Sequence, residues 1–317
     1  MRVLFAGSGR FAIPSLSAVL ASTHELVGVF TQPARPAGRG ARLTPTPLAA
    51  AAAEARLDVM ECPDINAPEA VEQVASLRPD ALCVVDFGQM VRSALRKAAP
   101  GGAFNLHGSL LPELRGAAPV NWAILRGYAE TGVTTFELVD RLDAGPIYLK
   151  EAVELRPDET AEELSGRLAL LGAPLVVRTL DLLDEGATEP RLQDDARATK
   201  APRLSKSGGV IDWTGSATDV RNRIHGTWPW PGGQAALVRR QDEPLRVTIA
   251  RAAVAEGDAQ GEPGQVDRDG CVATGEGRVR LLEVKPAGRR LMAWRDFVNG
   301  YRVGEGDRFA RPEGGAP

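Results

Sequence analysis

"RVLFAGSGRFAIPSLSAVLASTHELVGVF", Arg2 to Phe30, decides the architecture. Its first run, RVLFAG, is a short continuous apolar segment ended by a Gly-Ser-Gly turn, which reads as a strand covered on both faces. FAIPSLSAVLAS then carries apolar residues at helical spacing, and ELVGVF is a second buried strand. The pattern recurs: "ALCVVDF" (81–87) and "GGAFNLH" (101–107) are two more apolar strands after helical stretches. Strands alternating with helices predict an α/β fold with a doubly wound, mostly parallel sheet. Such sheets bind ligands beyond the carboxyl ends of their strands, where Asn105 and His107 fall.

Around this sheet, composition sets limits. With 317 residues, 44% hydrophobic and 25% charged, the chain has room for one large domain and a smaller one. No apolar run approaches the roughly 20 residues that span a bilayer, and the start shows no signal-peptide pattern. The expectation is a cytoplasmic protein without a membrane partner. Cys62, Cys83 and Cys271 are odd in number and lack C-x-x-C spacing, so neither a disulfide framework nor a metal site is expected. A formal net charge of −3 excludes binding of polyanions through bulk charge and leaves local basic patches.

Downstream, "GVTTFELV" and "PIYLKEAVEL" read as strands around "DRLDAG". Thr160 and Glu163 form a capping box for a helix with Leu164, Leu168 and Leu171 on one face, which stops near "DEGATEP". "RLQDDARATKAPRLSKSGG" is polar and weakly periodic, hence a linker. Short alternating runs with Gly turns follow and predict a small C-terminal antiparallel β-barrel, OB-like. The expected division is 1–189, a linker at 190–206, and 207–317. From Ser207 onward 16 basic residues face 15 acidic ones, so that domain is no polycation. Its basic residues cluster at Arg278, Arg280, Lys285, Arg289 and Arg290, and the linker has Arg197, Lys200, Arg203 and Lys206. His24 and His225 read as structural or surface residues. "GTWPWPGG" reads as a core-forming turn.

"GSGRFA" (7–12) matches G-x-G-x-x-[G/A] after a strand, the mark of a dinucleotide site. The second strand ends "VFTQP", with no carboxylate for the ribose, so the turn is better read as a tight strand-to-helix connection. "TQPARPAGRGARLTPTP" has two glycines and four prolines and cannot be regular. Arg35, Arg39 and Arg42 make it either a solvated loop or a basic finger for phosphates.

"FNLHGSLLPELRGAAP" (104–119) carries the chemistry. Alternate residues on a strand share a face, so Asn105 and His107 point together. An amide and an imidazole there can meet an oxyanion formed in acyl transfer, and Asp143 in the "LDAG" turn can orient the imidazole or take a proton. A structural histidine beside a turn is the alternative on spacing alone. G-x-S-x-G is absent, which favours direct transfer to an amine over a covalent acyl-enzyme.

"NLHGSLLPELRGAAPVNWAI" with "LDAG" resembles the N-x-H…S-L-L-P…Asp core of folate-dependent formyltransferases. Adding "TQPARPAGRG", "RLSKSGGVIDW", "WPWPG" and "KPAGRR", the chain resembles the methionyl-tRNA formyltransferase family over essentially its whole length. The resemblance implies Asn105, His107 and Asp143 as catalytic residues. It implies a folate pocket lined by Phe87, Gly88, Ser109, Leu110, Leu111 and Pro112. Arg35, Arg39, Arg42 and Lys206 are the expected tRNA contacts. The formyl donor would be 10-formyltetrahydrofolate and the acceptor the amino group of initiator methionyl-tRNA, in a monomeric enzyme that uses no metal. An amino sugar nucleotide formyltransferase shares the catalytic trio, and a tRNA-binding protein without catalysis is the reading from another class. The chain departs from the family pattern at "SGRFA", which replaces Thr-Pro-acidic-Phe-Ala, at Asp86, where a small residue is usual, at Glu113-Leu114, and at Pro146.

Overall fold

The computed structural model describes residues 1–37, 42–239 and 243–312. The chain divides into two compact units. Met1–Pro119, Thr131–Val153 and Ser165–Pro202 form the first; Val120–Glu130, Glu154–Leu164 and Arg203–Pro317 form the second.

The opening stretch folds as β1 (Arg2–Gly7), α1 (Ile13–Leu20) and β2 (Glu25–Thr31). Val3, Leu4, Phe5 and Ala6 are fully buried, as a strand covered on both faces requires. An antiparallel pair, β3 (Arg35–Ala37) and β4 (Arg42–Thr44), follows. Then come α2 (Pro47–Glu54), β5 (Val59–Glu61), α3 (Pro68–Leu77), β6 (Ala81–Val85), α4 (Ser93–Lys97) and β7 (Gly102–His107). After α5 (Pro119–Leu125), β8 (Glu130–Glu137) and β9 (Ile147–Glu154) lead into α6 (Ala161–Asp184). The sheet order is β5-β2-β1-β6-β7-β8-β9. The strands from β5 to β7 pair in parallel and β8 is antiparallel to β7. This is the doubly wound sheet expected from the sequence. The chain winds to one side of β1 and then resumes at β6 on the other, so the crevice for a ligand opens at the carboxyl ends of β1, β6 and β7.

The capping box that opens α6 is formed: the Thr160 amide donates to the Glu163 carboxylate at 2.9 Å and the Glu163 amide reaches the Thr160 hydroxyl at 3.4 Å. Leu164 and Leu168 are fully buried. Residues 190–202, part of the expected linker, run hydrogen-bonded within the first unit. The amide of Ile147 donates to Arg191 O at 2.8 Å, that of Arg115 to Thr199 O at 2.9 Å, and that of Ala201 to Arg115 O at 2.7 Å.

In the second unit α7 (Ala217–Thr227) begins at a Ser216/Asp219 capping box. It is followed by β10 (Gly233–Val238), β11 (Leu245–Ala255), β12 (Val272–Ala273), β13 (Arg278–Pro286), β14 (Met292–Ala293), α8 (Trp294–Tyr301) and β15 (Arg308–Ala310). The strands lie in the order β12-β13-β11-β10-β15, with β14 on β13, and each ladder is antiparallel. Bridges from Gln265 to Arg308 and from Val266 to Val272 join β15 to β12 and close the sheet into the expected barrel. β11 turns the corner through register shifts around Arg251. Inside lie Ile224, Leu237, Ile249, Leu281 and Val284, with the Trp213 and Phe309 rings 5.7 Å apart and those of Trp294 and Phe297 5.5 Å apart. Among the described residues no helix is long and apolar enough to cross a membrane.

Candidate active site

β7 delivers the two residues that the sequence singled out. Asn105 and His107 lie two positions apart on it, about 7 Å by strand rise, opposite Phe136 and Thr134 of β8. The His107 ring is buried and stands edge-on to Phe136, with centroids 6.3 Å apart. Its Nε2 lies 2.9 Å from the Leu114 carbonyl. A carbonyl only accepts, so Nε2 carries a hydrogen and Nδ1 is the nitrogen left for chemistry. Nδ1 lies 3.9 Å from Asp143 Oδ2, beyond a direct hydrogen bond. Asp143 is also buried, with φ +50°, and its Oδ2 accepts the Gly116 amide at 2.8 Å. Asn105 Oδ1 is buried with no hydrogen-bond partner among the described residues. Such an atom costs about 1–3 kcal/mol, and it lies at the carboxyl end of β7, where a doubly wound sheet opens its ligand crevice.

The turn after β7 is cross-braced. Thr134 donates its hydroxyl to Ser109 O at 2.6 Å and accepts the Leu111 amide at 3.2 Å, while Ser109 donates to Glu113 O at 2.6 Å. Lys150 Nζ donates to Leu111 O at 2.5 Å. Burial lowers the Lys150 pKa, Arg197 lowers it further, and Glu113 opposes them. Of the expected folate-lining residues, Leu111 and Ser109 are fully buried and Phe87 nearly so, and Leu110 is half-buried. Phe87 belongs to the core beneath β6, with its carbonyl accepting from Gln32 Nε2 at 2.7 Å. The Phe87 and Leu111 side chains are thus packed inward, and their backbone groups are engaged within the protein: the Phe87 carbonyl accepts from Gln32 and Ser8, and Leu111 is held at its amide by Thr134 and at its carbonyl by Lys150. Gly88 has φ +78°, a conformation a side chain would strain.

Two departures from the family pattern turn out to be one. Asp86, with φ +47°, accepts the Ser8 and Gly9 amides through its carbonyl at 3.0 and 3.1 Å. A Cβ on Gly9 would stand 1.7 Å from Asp86 Oδ2. Any side chain at 9, such as the proline of the family pattern, would thus have to displace the Asp86 carboxylate from its present position. Desolvation pushes the Asp86 pKa up to about 6, against a hydrogen bond from the Phe11 backbone.

The expected tRNA contacts are scattered in their engagements. Arg35 Nη2 donates to Gln32 Oε1 at 2.5 Å, and Arg42 and Lys206 are exposed. Arg39 lies outside the described residues. In the barrel cluster Arg278 is committed to Asp267 and Asp269 at 2.9 and 2.8 Å, so it is not available for phosphates.

The Formyl transferase family matches residues 1–180, and the description Formyl transferase, C-terminal domain, matches residues 203–302. A methionyl-tRNA formyltransferase of Solibacter usitatus is 41% identical over 311 residues, covering 98% of both chains. That of Geobacter sulfurreducens is 38% identical over 313 residues, covering 98% of this chain and 96% of its own. The chain belongs to the methionyl-tRNA formyltransferase family. It is a formyl-transferring enzyme, and the resemblance drawn from the sequence is borne out. HypX from Aquifex aeolicus, in complex with tetrahydrofolic acid, shares the fold with a TM-score of 0.64 at 18% identity, over 96% of this chain and 48% of its own. The N-formyltransferase from Helicobacter canadensis, in complex with folinic acid and dTDP-3-aminofucose, does so with a TM-score of 0.64 at 14% identity, over 89% of this chain and 99% of its own. Within this methionyl-tRNA formyltransferase fold, sequence reasoning missed Thr134, Lys150, Gln193 and Thr199. They hold the site through backbone carbonyls and amides, and such bonds leave no motif.

Proposed function

We propose that the protein transfers the formyl group of 10-formyltetrahydrofolate to the α-amino group of methionine on initiator methionyl-tRNA, with Asn105, His107 and Asp143 as the catalytic residues. The observation that carries this reading is the unpartnered amide oxygen of Asn105 at the end of β7, beside an imidazole whose Nε2–H is already committed. The amine attacks the formyl carbon carried on N10 of the folate; the tetrahedral adduct then collapses with cleavage of the C–N10 bond, and tetrahydrofolate leaves with a proton on N10 in place of the one the amine gives up. Asn105 donates through Nδ2 to the oxygen that gains charge, and Oδ1 is left to accept from the attacking amine. Protonated at Nδ1, His107 donates to the same oxygen, and the Asp143 carboxylate 3.9 Å away balances the imidazolium. Asp143 also draws off the proton that the amine loses. The first unit carries the chemistry in this reading and the barrel contacts tRNA. Arg35, Arg39, Arg42 and Lys206 attract backbone phosphates, which makes binding salt-dependent.

The test is transfer of labelled formyl to charged initiator methionyl-tRNA, with a charged elongator tRNA and an amino sugar nucleotide in parallel. Labelling of the initiator alone supports the reading, and labelling of the sugar nucleotide alone overturns the acceptor.

A further inference from the structure

Gln193 lies in the polar segment that reads as a linker, yet its amide spends all its capacity on the Asp143 turn and its neighbour. Nε2 donates to Asp143 O at 2.9 Å and to Gly145 O at 2.8 Å. Oε1 accepts from Arg115 Nε at 3.0 Å and from Nη2 at 2.8 Å. An amide has two N–H donors and two acceptor lone pairs, and here every one is used. The contacts close a ring, because the residue after Arg115 is Gly116, whose amide donates to Asp143 Oδ2 at 2.8 Å. Asp143 is thereby held at its carboxylate by Gly116 and at its backbone by Gln193. Its left-handed φ of +50° is a conformation that surrounding structure must impose on a residue with a side chain. Arg115 is fixed in turn by Asp195 at 2.8 Å, which also binds Arg141 at 2.9 Å. The same segment reaches the histidine indirectly: Thr199 Oγ1 accepts the Leu114 amide at 2.8 Å, and the Leu114 carbonyl is the one that holds His107 Nε2.

We propose that Gln193 is a positioning residue for formyl transfer, acting through Asp143. The inference rests on the roles proposed above for Asn105, His107 and Asp143. Gln193 touches no reacting atom, so it acts on turnover and leaves tRNA affinity alone. Glutamine is needed rather than glutamate, since a carboxylate keeps the Arg115 pair but presents no donor to the two carbonyls. Leucine fills similar space and makes neither set of bonds.

The experiment measures kcat and KM for methionyl-tRNA in the wild type, Gln193→Leu, Gln193→Glu, Asp143→Ala and the double variant Asp143→Ala/Gln193→Leu. Each single Gln193 change is expected to lower kcat on the order of tenfold or more, with KM within about twofold, because small misplacements of a reacting group act on the chemical step. In the Asp143→Ala background, Gln193→Leu is expected to cost less than about twofold, as residues acting as one unit are non-additive. Equal fold-losses in both backgrounds, or single variants with wild-type kcat, overturn the proposal. Should Gln193→Leu not fold, Gln193→Glu, which keeps the Arg115 contacts, carries the comparison together with the double variant Asp143→Ala/Gln193→Glu. A wild type that transfers no formyl overturns the function on which the inference rests, whereas an active wild type matched by its Gln193 variants overturns the inference alone.

Discussion

His107 and His225 are both buried and both leave one ring nitrogen without a hydrogen bond in the described residues, yet their surroundings give them opposite tasks. His107 ends a strand, commits Nε2–H to a carbonyl and turns Nδ1 toward a carboxylate. His225 sits within α7, accepts the Ala252 amide through Nε2 at 3.1 Å, and has Arg251 and Arg221 as its charged neighbours, with Glu163 a lesser influence. Burial first, then those arginines, pushes the His225 pKa down to about 4. An anion waits beside one ring and cations crowd the other. A buried unsatisfied nitrogen is therefore no evidence of function by itself; the charge and the amide around it decide.

The contrast can be broken at several points. The largest effect is expected at the strand end, where Asn105→Ala should lower kcat by about a hundredfold or more, roughly 3 kcal/mol in barrier. Its melting temperature should not fall, because the deletion also removes an atom that has no partner. A parallel loss of stability and turnover would make Asn105 structural.

On the His225 side the handle is acid. A folded pKa of about 4 against an unfolded value of about 6.5 means that folding excludes a proton the unfolded chain binds. Stability is then complete above pH 6.5 and declines as pH falls toward 4, by up to about 3 kcal/mol from this one group. Urea unfolding of His225→Gln, which keeps an acceptor for Ala252, should show a shallower loss across that window. An unchanged pH dependence would assign the acid sensitivity elsewhere.

Gly9→Ala tests the turn beside the candidate site. The backbone at Gly9 has φ −83° and tolerates a side chain, and the atoms nearest an added Cβ all belong to the Asp86 carboxyl group. The substitution should cost about 1–3 kcal/mol, as overpacking does, and Asp86→Ala should restore most of it. Stability of Gly9→Ala that is independent of residue 86 would separate the two departures again. The smallest effect belongs to Glu163→Gln. Glutamine keeps the capping box and removes the anion paired with Arg251 at 2.5 Å. The loss should stay under about 1 kcal/mol, and the His225 titration followed by NMR should move further down.

The sheet was legible because burial on two faces leaves runs such as RVLFAG and ALCVVDF, and the barrel because β13 alternates inward at Val279 and Leu281 and, after one change of phase, at Val284 and Pro286. Asn105 and His107 were legible for the same reason, since period-two geometry puts them on one face. The ordered course of residues 190–202 was not, because its bonds run from polar side chains and amides to backbone groups that no residue pattern reports. The Gly9–Asp86 dependence was hidden too. It joins the turn after β1 to the end of β6, and only the parallel pairing of those strands brings them together.

The most direct test of the account sets His107→Ala beside His225→Gln in one formyl-transfer assay with methionyl-tRNA at pH 7.5, about a unit above the window in which His225 affects stability. The expected result is a loss of kcat of about a hundredfold or more for His107→Ala and turnover within about twofold of wild type for His225→Gln. Near-normal turnover in His107→Ala, or equal losses in both, would contradict the assignment of the chemistry to the end of β7.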